Sequence, residues 1–277
     1  MENAASILIL ISGFAHAVVN AILKAGNDKM SRRALIDGFS AIILAPAAFF
    51  VPLPTNAWSW LIASVAVHGL YLLSLIRSFE QSDMTVAYPI ARGVAPMLAA
   101  AGAVAIFNEP ISVFVVVGIV SIACGVMCIG VSHKLERSAL LWAALTGVCI
   151  ASYTVIDAQG VRAAPTAFSY IVWTFLMLGG ALGTFFALWR GRAFFVSVAG
   201  QWKPGLMAGV LSIISYGFAL MAFRLGATPR LAALRETSIL FGTVIAVIFL
   251  KERLTKMRLG GVLAIATGAI VLLAAGL

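Results

Sequence analysis

Residues 86–107, VAYPIARGVAPMLAAAGAVAIF, and residues 231–250, LAALRETSILFGTVIAVIFL, are both apolar enough to cross a lipid bilayer, and each carries an arginine inside it, Arg92 and Arg235. An arginine within hydrocarbon costs roughly 2.5–3.5 kcal/mol on insertion scales, so two of them need a compensating partner, a watery cavity or a solute. The residues around the arginines therefore decide the fold and point to the function.

The rest of the chain has the same character. Hydrophobic residues make up 62% and charged residues 10%, and the mean hydropathy is +1.06. A soluble domain carries about 25% charged residues. At about 1.5 Å rise per residue, roughly 20 apolar residues cross the hydrocarbon. Ten stretches qualify, at residues 4–24, 34–51, 57–76, 84–107, 111–131, 138–156, 166–189, 204–223, 229–250 and 258–276. Lipid admits only helices or closed barrels, and no alternating pattern long enough for a barrel occurs. The expected fold is an all-α polytopic membrane protein with ten transmembrane helices. Ala15-His16-Ala17 has the small-x-small form of a signal cleavage site, but the residues before it include Glu2 and no basic residue. The first span is therefore expected to be retained.

Basic residues divide between the two sides of this ten-span arrangement. Fourteen of the nineteen lie at or beyond the ends of spans 1, 3, 5, 7 and 9, among them Lys29, Arg32, Arg33, Lys134, Arg137, Arg190, Arg192, Lys203, Lys251, Arg253, Lys256 and Arg258. Arg162, Arg224 and Arg230 lie on the other side. The positive-inside rule puts the odd-numbered loops in the cytoplasm and both termini outside, in a cell (inner) membrane. The net charge of +9 reads as this bias and as attraction to anionic membrane lipids, with no nucleic acid as partner. Trp58, Trp60, Trp142, Trp189 and Trp202 fall near span ends, as interfacial anchors do, and Trp173 does not.

An internal duplication organises the chain. A shift of 143 residues lays Arg92 on Arg235, Glu109 on Glu252, Gly118 on Gly261 and Gly125 on Gly268. Gly13 and Gly26 match Gly147 and Gly160 at a shift of 134, so the connecting loops differ in length. The units are residues 1–132 and 138–277. Each has five spans, an odd number, so the second enters the membrane from the opposite side, which makes two inverted five-helix repeats around a central cavity. An old duplication that persists only because it folds is the alternative.

Geometry sharpens the reading of the arginines. Arg92 lies roughly 12 Å along its helix from one face and Arg235 roughly 9 Å from the other, so in a core about 30 Å thick both approach the midplane. Glu236 follows Arg235, while its counterpart in the first half is Gly93. Two arginines and one glutamate leave one net positive charge, suited to a carboxylate, a phosphate or a zwitterion. A buried structural ion pair of Glu236 with either arginine is the competing reading.

Other polar residues recur at helical spacing. His16, Asn20 and Lys24 share a stripe on span 1. His68, Tyr71 and Ser74 lie on span 3, Ser152, Tyr153, Thr154 and Asp157 on span 6, and Ser212, Ser215 and Tyr216 on span 8. Arg92, Arg235, Glu236, Tyr71, Tyr153, Tyr216 and Asn20 are the candidate solute-binding residues. Glu236, His16 and Asp157 are candidates for a proton relay or other coupling. Thr237 and Ser238 are expected to bond carbonyls of their own helix. Pro89 and Pro96 flank Arg92 and remove backbone donors, so they are read as a kink or a gating hinge. Gly118, Gly125, Gly261 and Gly268 are expected to let a neighbouring backbone approach. Cys124, Cys128 and Cys149 lie within spans without histidine or carboxylate partners, so packing is expected rather than a metal site.

At these residues the chain resembles a known family. Leu234-Arg235-Glu236-Thr237-Ser238, Leu250-Lys251-Glu252-Arg253-Leu254, Gly261 and Gly268 are similar to the end of the second EamA repeat of the drug/metabolite transporter superfamily. Pro89, Arg92, Pro96, Glu109, Gly118 and Gly125 give the same outline in the first repeat, where the turn reads Asn108-Glu109-Pro110 instead of the family's Gly-Glu-Arg-like form. The resemblance covers nearly the whole chain. It implies a ten-helix carrier with a central cavity that moves amino acids, other metabolites or toxic compounds, often outward. Small multidrug relatives exchange protons through a glutamate on their first helix, and span 1 here has no acidic residue. Members are often described with cytoplasmic termini, whereas the Lys/Arg count of this chain predicts the opposite.

Three function classes follow. The first is a secondary active transporter, expected to export a small anionic or zwitterionic metabolite such as an amino acid by alternating access, with proton or exchange coupling. The second is a multidrug exporter or a flippase for lipid-linked cargo, which would not need Arg92. The third, an intramembrane enzyme, lacks a His-Glu-x-x-His pattern, a phosphate-binding loop and a nucleophile with an evident base, so no enzyme activity and no cofactor are expected. A monomer or a homodimer would serve the transporter reading.

Overall fold

The structure is a computed structural model that describes residues 2–24, 29–81, 84–130, 137–250 and 255–276. Expectations resting on Gly26, Lys134, Lys251, Glu252 and Arg253 lie outside these residues, as do the side chains of Lys24, Lys29, Arg190 and Arg192. Among the described residues the chain is helical throughout, with no strand.

The helices are α1 (Glu2–Lys24), α2 (Lys29–Leu44), α3 (Trp58–Gln81), α4 (Met84–Phe107), α5 (Val113–Gly130), α6 (Arg137–Ala163), α7 (Ala167–Arg190), α8 (Arg192–Leu225), α9 (Thr228–Arg235), α10 (Ser238–Leu250) and α11 (Lys256–Ala274). A 3-10 turn (Ala45–Phe49) extends α2. Among the described residues eight segments are long and apolar enough to cross a membrane: α1, α3, α4, α6, α7, α8, α11 and Thr228–Ile248, which joins α9 to α10. The apolar α5 is shorter. The protein is a multi-pass membrane protein, and its hydroxyl side chains are absorbed locally. Thr154, Thr174 and Thr243 each donate to the carbonyl four residues earlier, at 2.7–2.8 Å.

Span 9, expected as one helix over residues 229–250, is two. The break falls at Glu236 and Thr237, whose amides bond back three residues, to Ala233 O at 3.0 Å and Leu234 O at 3.1 Å. Thr237 Oγ1 takes the same Leu234 carbonyl at 2.7 Å. This tightened turn ends α9 just past Arg235. By contrast α4 runs unbroken through Pro89 and Pro96.

Helix α5 lies against α11, and the four glycines make that seam. A Cβ on Gly125 would stand 2.6 Å from Gly261 O, and one on Gly268 2.7 Å from Gly118 O. Gly118 thus meets Gly268 and Gly125 meets Gly261, while Ser121 Oγ donates to Ala264 O at 2.9 Å between them. In repeat numbering Gly118 meets the mate of Gly125, Gly125 meets the mate of Gly118, and Ser121 meets its own mate, the reciprocal pattern of a twofold contact.

Similar exchanges recur elsewhere. Helix α1 packs along α8 as α6 packs along α3, and α10 packs on α1 as α4 packs on α6. Ser12 Oγ donates to Ser215 O at 2.6 Å across the first pair, and Thr146 Oγ1 to Ser74 Oγ at 3.1 Å across the second. Helix α2 lies on α7. The correspondence is not complete among the described residues: α2 runs closely along α8 whereas α7 lies more loosely along α3, and α4 packs on α5 more closely than α10 packs on α11.

Candidate solute cavity

The helices enclose a cavity of about 430 Å³, within the range of about 300–1,000 Å³ common for small-molecule sites. Its wall includes His16 and Asn20 of α1, Arg33 and Asp37 of α2, His68 and Tyr71 of α3, Arg92 of α4 and Tyr153 of α6. Ser215 and Tyr216 of α8, Arg235 of α9, Ser238 of α10 and Arg258 of α11 complete it. These residues run from the middle of α3 and α6 to the C-terminal parts of α1 and α3 and the N-terminal parts of α2 and α4. The cavity thus runs from Arg92 and Arg235 toward the end of the molecule where α1, α3, α5, α7 and α10 finish.

The two arginines have different fates. Arg92 Nε lies 3.0 Å from Glu236 Oε2, and its Nη2 donates to Ser238 Oγ at 3.0 Å. The break between α9 and α10 makes this geometry, because it turns Glu236 and Ser238 together toward α4. Removing one member of such a buried pair costs about 3–5 kcal/mol, since the other charge is left without compensation. Arg235 stays with the cavity. Its guanidinium carbon sits 5.2 Å from the centre of the Tyr216 ring, a cation–π contact, and its buried Nε has no hydrogen-bond partner among the described residues. The ion pair with Glu236 is therefore made by Arg92, while Arg235 lines the cavity.

Glu236 faces a much smaller void of about 10 Å³ behind the wall, shared with Arg92, Pro96, Thr154 and Arg235. Tyr153 stacks on His68 at 4.1 Å between ring centres, and Tyr71 meets Tyr153 edge-on at 5.7 Å. His68 Nδ1 lies 2.9 Å from Ser64 O and 3.2 Å from Ser64 Oγ, which hold the ring in place. Asp157 is buried off the cavity, where it accepts from Tyr170 Oη at 2.8 Å and from Tyr216 Oη. Pro89 is buried within α4 and off the cavity wall.

Sequence reasoning missed Arg33 and Asp37. Arg33 counted only as a loop charge, yet it lies in the first turns of α2, donates from Nε to Asp37 Oδ2 at 3.0 Å and lines the cavity. The four-residue spacing of opposite charges was the available signal.

The other end of the molecule is closed by a polar latch that sequence reasoning also missed. Asn108 ends α4 with a φ of +52°, a left-handed residue, and Glu109 N reaches back to Ala103 O at 3.1 Å. Asparagine tolerates that conformation, so it fills the place of the glycine in the family-like turn, and Pro110 stops the helix. The Glu109 carboxylate is thereby presented to the second half of the chain. It accepts from Arg162 Nη1 at 2.6 Å, Gln159 Nε2 at 3.1 Å, Thr228 Oγ1 at 2.8 Å and Thr228 N at 2.7 Å. A carboxylate from the α4–α5 connection thus caps the first amide of α9. Arg162 also takes the carbonyls of Phe223 and Gly226 beyond α8, while Arg224 of α8 takes those of Val161 and Ala164 beyond α6.

Comparison with known proteins places these features. The model of the EamA-like transporter family matches residues 137–274. A solved structure described only as a crystal structure of a protein superposes with a TM-score of 0.72 at 15% identity, over 96% of this chain and 94% of that one, a likeness of fold. No curated protein matches the chain.

Proposed function

We propose, from the premise that the chain belongs to the EamA-like transporter family of the drug/metabolite transporter superfamily, that it is a secondary carrier of a small anionic or zwitterionic metabolite. In this reading ten membrane crossings form two inverted repeats, residues 1–132 and 138–277, and the cavity is the site they share. Export is the expected direction. The support comes first from Arg235, a buried arginine that lines a solvent-sized chamber and is left without a carboxylate partner among the described residues. The reciprocal contacts of Gly118, Ser121 and Gly125 with the second repeat favour a twofold relation between the halves. The unequal packing of α2 on α8 and of α7 on α3 favours a molecule caught in one of two alternate arrangements.

The open end carries the basic connections, so by the positive-inside rule the cavity faces the cytoplasm and the Glu109 latch closes the outer end. Asn20, Tyr71, Tyr153 and Tyr216 would contact the solute, Arg92 and Glu236 would hold the α9–α10 break in place, and Pro89 and Pro96 would let α4 bend. His16 faces the cavity and suits a coupling role better than Asp157, which two tyrosines enclose. A cargo recognised by lipophilicity alone would be indifferent to Arg235. The test is uptake of a metabolite panel into proteoliposomes, with and without a pH gradient, for the wild type, Arg92→Ala and Arg235→Ala. Uptake of an anion or zwitterion that both substitutions abolish in folded protein is expected. Equal uptake by all three proteins would refute the site.

A further inference from the structure

We propose that the solute is an amphipathic monoanion: one anionic group held by Arg235, an uncharged and largely apolar body, and no ammonium group. The inference rests on the reading of the cavity as the solute site and narrows what that site accepts. Charge pairing in the wall carries it. Four arginines line the cavity, Arg33, Arg92, Arg235 and Arg258, against a single carboxylate among the described residues, Asp37. Asp37 is engaged by Arg33 at 3.0 Å. Glu236, set behind the wall, is engaged by Arg92 at 3.0 Å. Arg235 is 8% exposed, shares the small void with Glu236 without pairing to it, forms no ion pair with a described residue and keeps a buried Nε without an acceptor among the described residues.

A buried donor without a partner marks a place where a further group belongs, and the planar guanidinium fork fits a carboxylate or sulfonate with two parallel bonds. The Tyr216 ring takes one side of the guanidinium, at 5.2 Å from its carbon, without supplying an acceptor to Nε. The remaining wall suits an apolar body. Leu72, Leu75, Leu178, Leu182 and Ile239 line it, next to the stacked His68 and Tyr153. An amino acid would bring an ammonium into this chamber, and a charge moved out of water needs a partner there. The one carboxylate in the wall is already bonded, and the neighbouring arginines repel a cation.

The experiment uses three ligands with the same phenyl body: 3-phenylpropanoate, L-phenylalanine and 2-phenylethylamine, titrated calorimetrically into the purified full-length protein. Phenylpropanoate is expected to bind at least tenfold more tightly than phenylalanine, with no binding of the amine. Arg235→Gln is expected to lose at least tenfold in phenylpropanoate affinity, and Arg235→Lys to recover part of it. Uptake is followed with 3-phenylpropane-1-sulfonate, which stays ionised and does not leak through lipid. The comparison on wild-type protein needs no variant to fold. Phenylalanine binding as tightly as phenylpropanoate, or phenylpropanoate binding unchanged by Arg235→Gln, overturns the monoanion. If phenylalanine is also carried, the transporter reading survives that failure. If no ligand binds and no solute crosses, both fall.

Discussion

Replacing Glu109 by glutamine tests the closed end of the molecule. Its carboxylate gathers four donors, three of them from groups at the start of α9 and the end of α6 at 2.6–2.8 Å. Hydrogen bonds to a charged group contribute about 1.5–3 kcal/mol each and neutral ones about 0.5–1.5. Arg162 is 27% exposed, so solvent screens its share. The bond to Thr228 N is the one that ties the two halves most directly. An amide keeps one carbonyl acceptor and loses the charge, which should weaken the latch by roughly 1–3 kcal/mol, about a 5–150-fold change in the balance between closed and open ends. Hydrogen–deuterium exchange in lipid nanodiscs reads this directly. Amides of residues 226–232 should exchange about 5–150-fold faster in Glu109→Gln than in the wild type, while the α5–α11 seam stays protected. Identical exchange at 226–232 in the two proteins would refute the latch, because the Thr228 amide would then be held by something other than the charge.

Two further outcomes test the interior. Arg92→Gln strands Glu236 and should cost about 3–5 kcal/mol. The double variant with Glu236→Gln should recover much of that in thermal unfolding, and equal loss in the single and double variants would show the two residues uncoupled. In α11, Gly261→Ala puts a methyl 2.6 Å from Gly125 O and 2.6 Å from Ile129 Cγ1 and should cost about 1–3 kcal/mol, whereas its neighbour Gly260→Ala meets nothing within 4 Å and should be neutral or stabilising. Thermal midpoints of the two variants that coincide would remove the seam argument.

What the sequence exposed and what it hid have a common cause. Arg92 and Arg235 were legible because a charge in an apolar run has no innocent explanation, and both reach one cavity. The glycine seam was legible because spacing by seven marks a helix face, and the structure uses all four glycines. The break in span 9 was hidden. Arg235-Glu236-Thr237-Ser238 contains neither proline nor glycine, and its partner, Arg92, lies 146 residues before Ser238 in sequence. The prolines of α4, by contrast, lie in a helix that stays continuous. The latch was hidden because Glu109 meets Arg162 and Thr228 across 53 and 119 residues of sequence, which local patterns do not register.

The seam between α5 and α11 has a mechanical consequence. Where the glycines let backbone meet backbone, isoleucines of the opposite helix seat on them, Ile265 on Gly125 and Ile129 on Gly261, and the contact reads the same when the halves are exchanged. In the proposed carrier a contact of that kind would be an axle, common to both orientations and favouring neither. Damage there should make the protein fragile without changing which way it prefers to face, whereas damage where α2 meets α8, a contact without an equal mate, should tilt that preference and leave robustness largely intact.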